Sequence, residues 1–137
     1  MISETTNEVV GELMDSWKDG LKARFAEGWI ALVDCEDGWR DLILGLVSDL
    51  DALGIRWEAH HIKQKLGGLR FYADALDGEP EKRARFRELI RLAEDRSWRI
   101  CERCGAEGTT GGVGLSGMQI RTFCARCAEH PYLPHIK

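Results

Sequence analysis

The chain lacks any apolar run approaching the roughly 18 residues needed to cross a membrane. Its start, Met1-Ile2-Ser3-Glu4, has neither the basic nor the apolar stretch of a secretory signal, so a cytoplasmic protein is expected. Positive charge is in deficit. The formal net charge is −4, which argues against a protein that coats nucleic acid by bulk charge. No nucleophile–base pair and no phosphate-cradling loop is visible, so an enzyme is not expected. No internal repeat occurs, and the only biased patch is the Gly/Thr stretch 108–114, which reads as a flexible loop. What remains is 137 residues with 44% hydrophobic content, enough for the core of one domain with a small appended module.

The charge is unevenly spread. Residues 1–54 hold twelve acids and four bases, whereas 55–137 hold eleven acids and fifteen bases. Such asymmetry marks an interaction surface, or is neutralised within one fold.

Helical spacing of Val9, Leu13, Trp17 and Leu21 predicts a first helix over 6–25, weakened by Gly11 and Gly20. The apolar run 28–33 has no clear period. Asp37 is placed to cap a second helix over 39–53, with Leu42, Leu46, Val47, Leu50 and Leu53 on one face and Gly54 past its end. Pro80 opens a third helix over 81–98 whose apolar face is Phe86, Leu89, Ile90, Leu92 and Ala93. Arg83, Arg87 and Arg91 recur every four residues along it, a basic stripe that meets phosphates or is simply a solvated face.

Between these helices, 55–73 changes character. Gly67-Gly68 reads as a two-residue hairpin turn. That register pairs Leu66 with Leu69 and Lys65 with Arg70, and it places Ile62, Leu66, Leu69, Phe71 and Ala73 on an apolar face. The opposite face then carries Lys63, Lys65, Arg70 and Tyr72. Like charges at Lys65 and Arg70 would repel, so this face is a candidate for an anion or an acidic partner, against the plainer reading of splayed, solvated side chains. His60 and His61 cannot face one way on a regular strand, and neither has an evident catalytic partner. Most of the five tryptophans are expected in the core, with any exposed one marking a binding surface.

The strongest motif is C-terminal. Cys101-x-x-Cys104-Gly105 and Cys124-x-x-Cys127 are separated by nineteen residues. This spacing predicts one structural Zn²⁺ per chain held by four thiolates with no open position. Two disulfides would need an oxidising compartment. His130, three residues after Cys127, is an alternative ligand. A strand is expected over 118–123. The small apolar complement of the last forty residues predicts that this unit needs its metal to fold. Arg103 and Arg126 sit within the two knuckles, where they could touch nucleic acid or solvent. Cys35 is left over as a buried or idle thiol.

The run Ile62-Lys63-Gln64-Lys65-Leu66-Gly67-Gly68-Leu69-Arg70-Phe71-Tyr72, with Ser97, Cys101-x-x-Cys104-Gly105 and the upstream Cys35-Glu36-Asp37-Gly38-Trp39, resembles a group of small bacterial and phage proteins of uncharacterised activity. The resemblance spans residues 35–105. It implies a protein of mobile or competitive gene clusters, among which are immunity proteins that neutralise a toxin by binding it. The combined expectation is an α+β domain over 1–97 carrying a zinc-ribbon-like unit over 98–137. Its expected function is a non-catalytic protein binder, with a secreted toxin domain as partner and a nucleic-acid-binding zinc module as the alternative. Lys63, Lys65, Arg70, Tyr72, Arg83, Arg87 and Arg91 are its candidate partner-binding residues.

Overall fold

A computed structural model describes residues 17–114 and 117–131. Most of the expected first helix, 6–16, lies outside them. Residues 17–21 are helical, and a 3₁₀ turn at Lys22–Arg24 ends the segment sooner than the expected residue 25. Trp17 and Leu21 point into the core.

Strand β1 (Val33–Asp34) follows, then a 3₁₀ turn at Asp37–Trp39 that runs directly into α1 (Arg40–Asp51). The expected Asp37 cap is absent. Its carboxylate instead accepts the Trp17 indole N–H at 3.0 Å. Gly54 takes φ +75° past the end of α1, the left-handed conformation that favours glycine. Strands β2 (Trp57–Lys65) and β3 (Gly68–Ala75) form an antiparallel hairpin, and β1 pairs parallel to β2, giving the order β1-β2-β3. Helix α2 (Pro80–Ser97) packs on β3 and α1 through Phe86, Ile90 and Ala93. Leu92, expected on that face, is exposed, because it lies one position off the buried i, i+4, i+7 row.

Two expectations at the hairpin change. The turn residues are Leu66 and Gly67, both at positive φ, and Lys65 pairs with Gly68. Arg70 therefore faces Lys63, and Lys65 lies beyond that pair next to the turn. Leu66 leaves the expected apolar face for an exposed position at the tip. The register also shifts between Ala59 and His61, a bulge that breaks alternation.

The chain then builds a second, two-stranded sheet from β4 (Thr109–Val113) and β5 (Gln119–Phe123), followed by the single turn α3 (Ala125–Ala128). Strand β4 replaces the flexible loop expected over 108–114, since its glycines pair along β5 from Thr109–Phe123 to Val113–Gln119. The fold is α+β, and its last unit is ribbon-like. Among the described residues no helix is long and apolar enough to cross a membrane.

Candidate metal centre and surface cleft

The first knuckle leaves Ile100 in a tight turn. The Gly105 N–H donates to the Cys101 carbonyl at 2.9 Å, and Gly105 adopts φ +86°. The second knuckle opens α3, where the Cys124 sulfur accepts the Cys127 N–H at 3.4 Å. The β4–β5 ribbon returns the chain so that the four Sγ atoms of Cys101, Cys104, Cys124 and Cys127 lie within 4.8 Å of one another. Cys104 Sγ and Cys124 Sγ are 3.6 Å apart. A tetrahedral ion with metal–sulfur bonds of about 2.3 Å needs sulfurs about 3.8 Å apart, so the donor set fits a metal ion. All four cysteines are free thiols, and His130 is outside the cluster. The Cys127 N–H brings the Cys124 thiol down to about 7, while burial pushes Cys104 and Cys127 up. Four crowded thiols ionise together only with a cation among them.

Behind the knuckles lies an ion-pair network. Glu102, fully buried, accepts the Glu36 backbone N–H at 3.1 Å and two bonds from Arg121 at 2.8 and 3.0 Å. Glu36 takes Arg103 at 2.8 Å and Arg121 at 3.0 Å. Arg103 also donates to the carbonyls of His130 and Pro131. It is therefore a buried brace rather than the exposed knuckle tip that could reach nucleic acid, whereas Arg126 is exposed. Burial pushes the Glu102 carboxyl up, and Arg121 only partly offsets this. The Trp39 indole donates to the Ile100 carbonyl at 2.9 Å, and Thr122 Oγ1 donates to the Gly67 carbonyl at 2.7 Å. Residues 35–39 and the hairpin turn thus bind the metal unit directly. Cys35 is buried beside them, its thiol pushed up to about 12 by burial, which makes it inert.

The expected partner surface is only partly brought together. Tyr72 and Arg87 line one open cleft of about 570 Å³ between the β3 edge and α2. Lys63 and Arg70 oppose each other across the hairpin, Lys65 is exposed next to the turn, and Arg83 is exposed on α2. Arg91 is bonded to Asp95 at 3.3 Å, so the stripe is partly neutralised.

Sequence reasoning missed the other walls of this cleft. Trp29 contacts both histidine rings edge-on, with centroids 4.8 Å from His60 and 5.5 Å from His61. The bulge makes this possible by turning consecutive residues toward the same tryptophan. His60 Nε2 is 3.0 Å from Asp74 Oδ2, and its Nδ1 is buried with no partner among the described residues. The available signal was the aperiodic apolar run at 28–33, which has no face to bury.

Comparison with models of known families, with curated proteins and with solved structures finds no match to this chain. Fold and site define an α+β protein with a four-cysteine unit that can hold a metal ion.

Proposed function

We propose that the chain is a non-catalytic, zinc-containing protein-binding protein, an immunity protein that neutralises a cognate bacterial toxin in the cytoplasm by steric and electrostatic blocking. The observation that carries this reading is the closed donor set. Four cysteines fill every position of a tetrahedral ion, so zinc bound there is structural and leaves no site for substrate. The chain's chemistry is then that of its surface, where Trp29 and Tyr72 stand exposed beside Arg87. The acidic residues concentrated in 1–54 add steering toward a cationic partner.

The test is co-expression with the toxin encoded beside it. A stoichiometric complex and restored growth are expected. A second reading, a nucleic-acid-binding zinc module, is favoured by the Lys63–Arg70 pair facing outward next to Tyr72. Oligonucleotide binding that falls steeply with salt, with no protein partner, would replace the first reading by the second.

A further inference from the structure

The cleft beside Trp29 combines features that solvent alone does not explain. Trp29 is 49% exposed, and the loop carrying it also exposes Ile30 at 83% and Leu32 at 58%. Tyr72, 45% exposed, stands within aromatic reach of His61, their centroids 6.1 Å apart. Three large apolar side chains on four consecutive positions form a patch of the kind that marks a protein contact. Nucleic acid would use the aromatic rings but gains little from Ile30 and Leu32.

Among the described residues the cleft is lined by one guanidinium, Arg87, and one carboxylate, Asp74. Arg87 stands in its wall, with Arg83 one turn away on the same helix face. The one carboxylate lining it, Asp74, is already bonded to His60. Neither Arg83 nor Arg87 makes an ion pair among the described residues. Trp, Tyr and Arg around a concavity are the residue types that dominate binding energy at protein interfaces.

From these observations we infer that the cleft receives an acidic–apolar segment of a protein partner, a carboxylate seated on Arg87 and a neighbouring apolar side chain between Trp29 and Tyr72. The inference rests on the protein-binding reading and adds to it the chemistry of what is bound.

The experiment pans a displayed random-peptide library against the purified full chain. Asp or Glu next to Leu, Phe or Trp should be enriched. A synthetic copy of the winning peptide should lose roughly tenfold or more in affinity with Trp29→Ala, and likewise with Arg87→Glu. All the substituted side chains are exposed, so circular dichroism and metal content should stay unchanged. Panning against Arg87→Glu should switch the selection to Lys and Arg. A selection without acidic residues, or peptide affinity indifferent to both variants, overturns the inference. So does oligo(dT) binding that Arg87→Glu abolishes, or a dimer of the chain that Trp29→Ala dissociates. Toxin neutralisation undisturbed by the Trp29→Ala/Arg87→Glu double variant discards the cleft while the protein-binding reading survives. Acidic selection without any toxin neutralisation keeps the cleft and discards the immunity reading.

Discussion

Gly38 lies so close to the first knuckle that a Cβ on it would sit 2.2 Å from the Cys101 carbonyl oxygen and 2.4 Å from that of Glu102. Its own N–H donates to the Glu102 carbonyl at 2.6 Å. The loop before α1 and the metal unit are thus joined backbone to backbone, and only glycine permits the approach. Gly38→Ala should cost about 1–3 kcal/mol, the usual range for forcing atoms into a filled interior. Gly45 provides the contrast. It lies on the exposed side of α1 with nothing within 4 Å of its virtual Cβ. Gly45→Ala should stabilise by up to about 1 kcal/mol through helix propensity. Denaturant melts of the two variants check both signs.

Chelation of the purified chain should release one zinc and abolish native structure over 101–127. Among the described residues of this unit the buried side chains are Cys101, Glu102, Arg103, Thr122 and Phe123, of which only Phe123 is a large apolar group, so without a metal it has no core of its own. The sheet β1-β2-β3 and its two helices keep theirs. Hydrogen exchange should show protection lost in β4 and β5 first, with Leu46 and Ile62 amides protected longer. Simultaneous loss throughout would show that the two parts form one cooperative unit.

The buried carboxylate of Glu102 depends on Arg121. Arg121→Ala would leave that group deep in the protein without its cation and should cost about 3–5 kcal/mol. Adding Glu102→Gln removes the stranded charge while keeping an oxygen for the Glu36 N–H, so the double variant should recover part of the loss. A Glu102→Gln effect that is the same with Arg121 present and absent would mean that the pair is not coupled. Chemical denaturation of the four proteins in the cycle gives the coupling directly.

How far the residues announced this arrangement depends on whether the signal is local. The cysteine spacing is local, and it located the four ligands. The hairpin was legible but its turn lies one residue earlier than expected, which shifts the pairings of Ile62 to Lys65 by two. Leu66-Gly67-Gly68 allows two turns, and nothing near in sequence says that Gly68 is needed elsewhere. In the fold a Cβ at Gly68 would lie 2.4 Å from the Trp98 ring, so that glycine serves contact with the C-terminal unit. Leu66 accepts φ +56° as a result. Strand β4 was hidden by Gly111 and Gly112 and by Gly108 just before it, where a Cβ would lie 3.0 Å from the Cys101 backbone nitrogen. The hairpin over 62–72 reads as a candidate binding face, and 35–39 only as part of a resemblance. Yet Glu36, Gly38, Trp39, Gly67 and Gly68 all face the metal unit, so their main work is assembly.

Glu94 closes an open sheet edge. Among the described residues strand β3 has no strand beyond it, but its Phe71 N–H donates to Glu94 Oε2 and its Leu69 N–H to Ser97 Oγ, both at 2.9 Å. These two bonds from α2 blunt an edge that could otherwise pair with another chain. Burial pushes the Glu94 carboxyl up, more than the Phe71 N–H pulls it down. A carboxyl raised in the folded state contributes its stability at low pH and loses it as pH rises through the raised value. Glu94→Gln keeps the acceptor without the charge, so it should gain on the wild type as pH climbs above the ordinary glutamate range. Glu94→Ala should lose about 1 kcal/mol and aggregate more readily. Melting temperatures across a pH series, with light scattering, separate the two variants.

Asp51 works in the opposite direction. At the end of α1 it accepts the Trp57 indole N–H at 2.9 Å and Arg24 at 2.6 Å, and the Arg24 guanidinium lies 5.0 Å from the Trp57 ring centre. These bonds tie the segment before the sheet, the end of α1 and the start of β2 together. The Arg24 guanidinium, foremost among these partners, holds the Asp51 carboxyl below its ordinary value. Its stabilisation is therefore complete above the ordinary aspartate range and is lost as pH falls through the lowered folded value. The pair is more than a third exposed, with side-chain accessibilities of 36% and 41%, so screening limits its worth to about 1 kcal/mol or less. Asp51→Asn should flatten the acid limb of the stability profile by lowering the plateau near neutrality by at most that amount and meeting the wild type at low pH, because the amide oxygen still accepts the indole N–H but carries no charge for Arg24. Added salt should shrink the difference further. An acid limb as steep in Asp51→Asn as in the wild type would assign the acid sensitivity to another carboxylate.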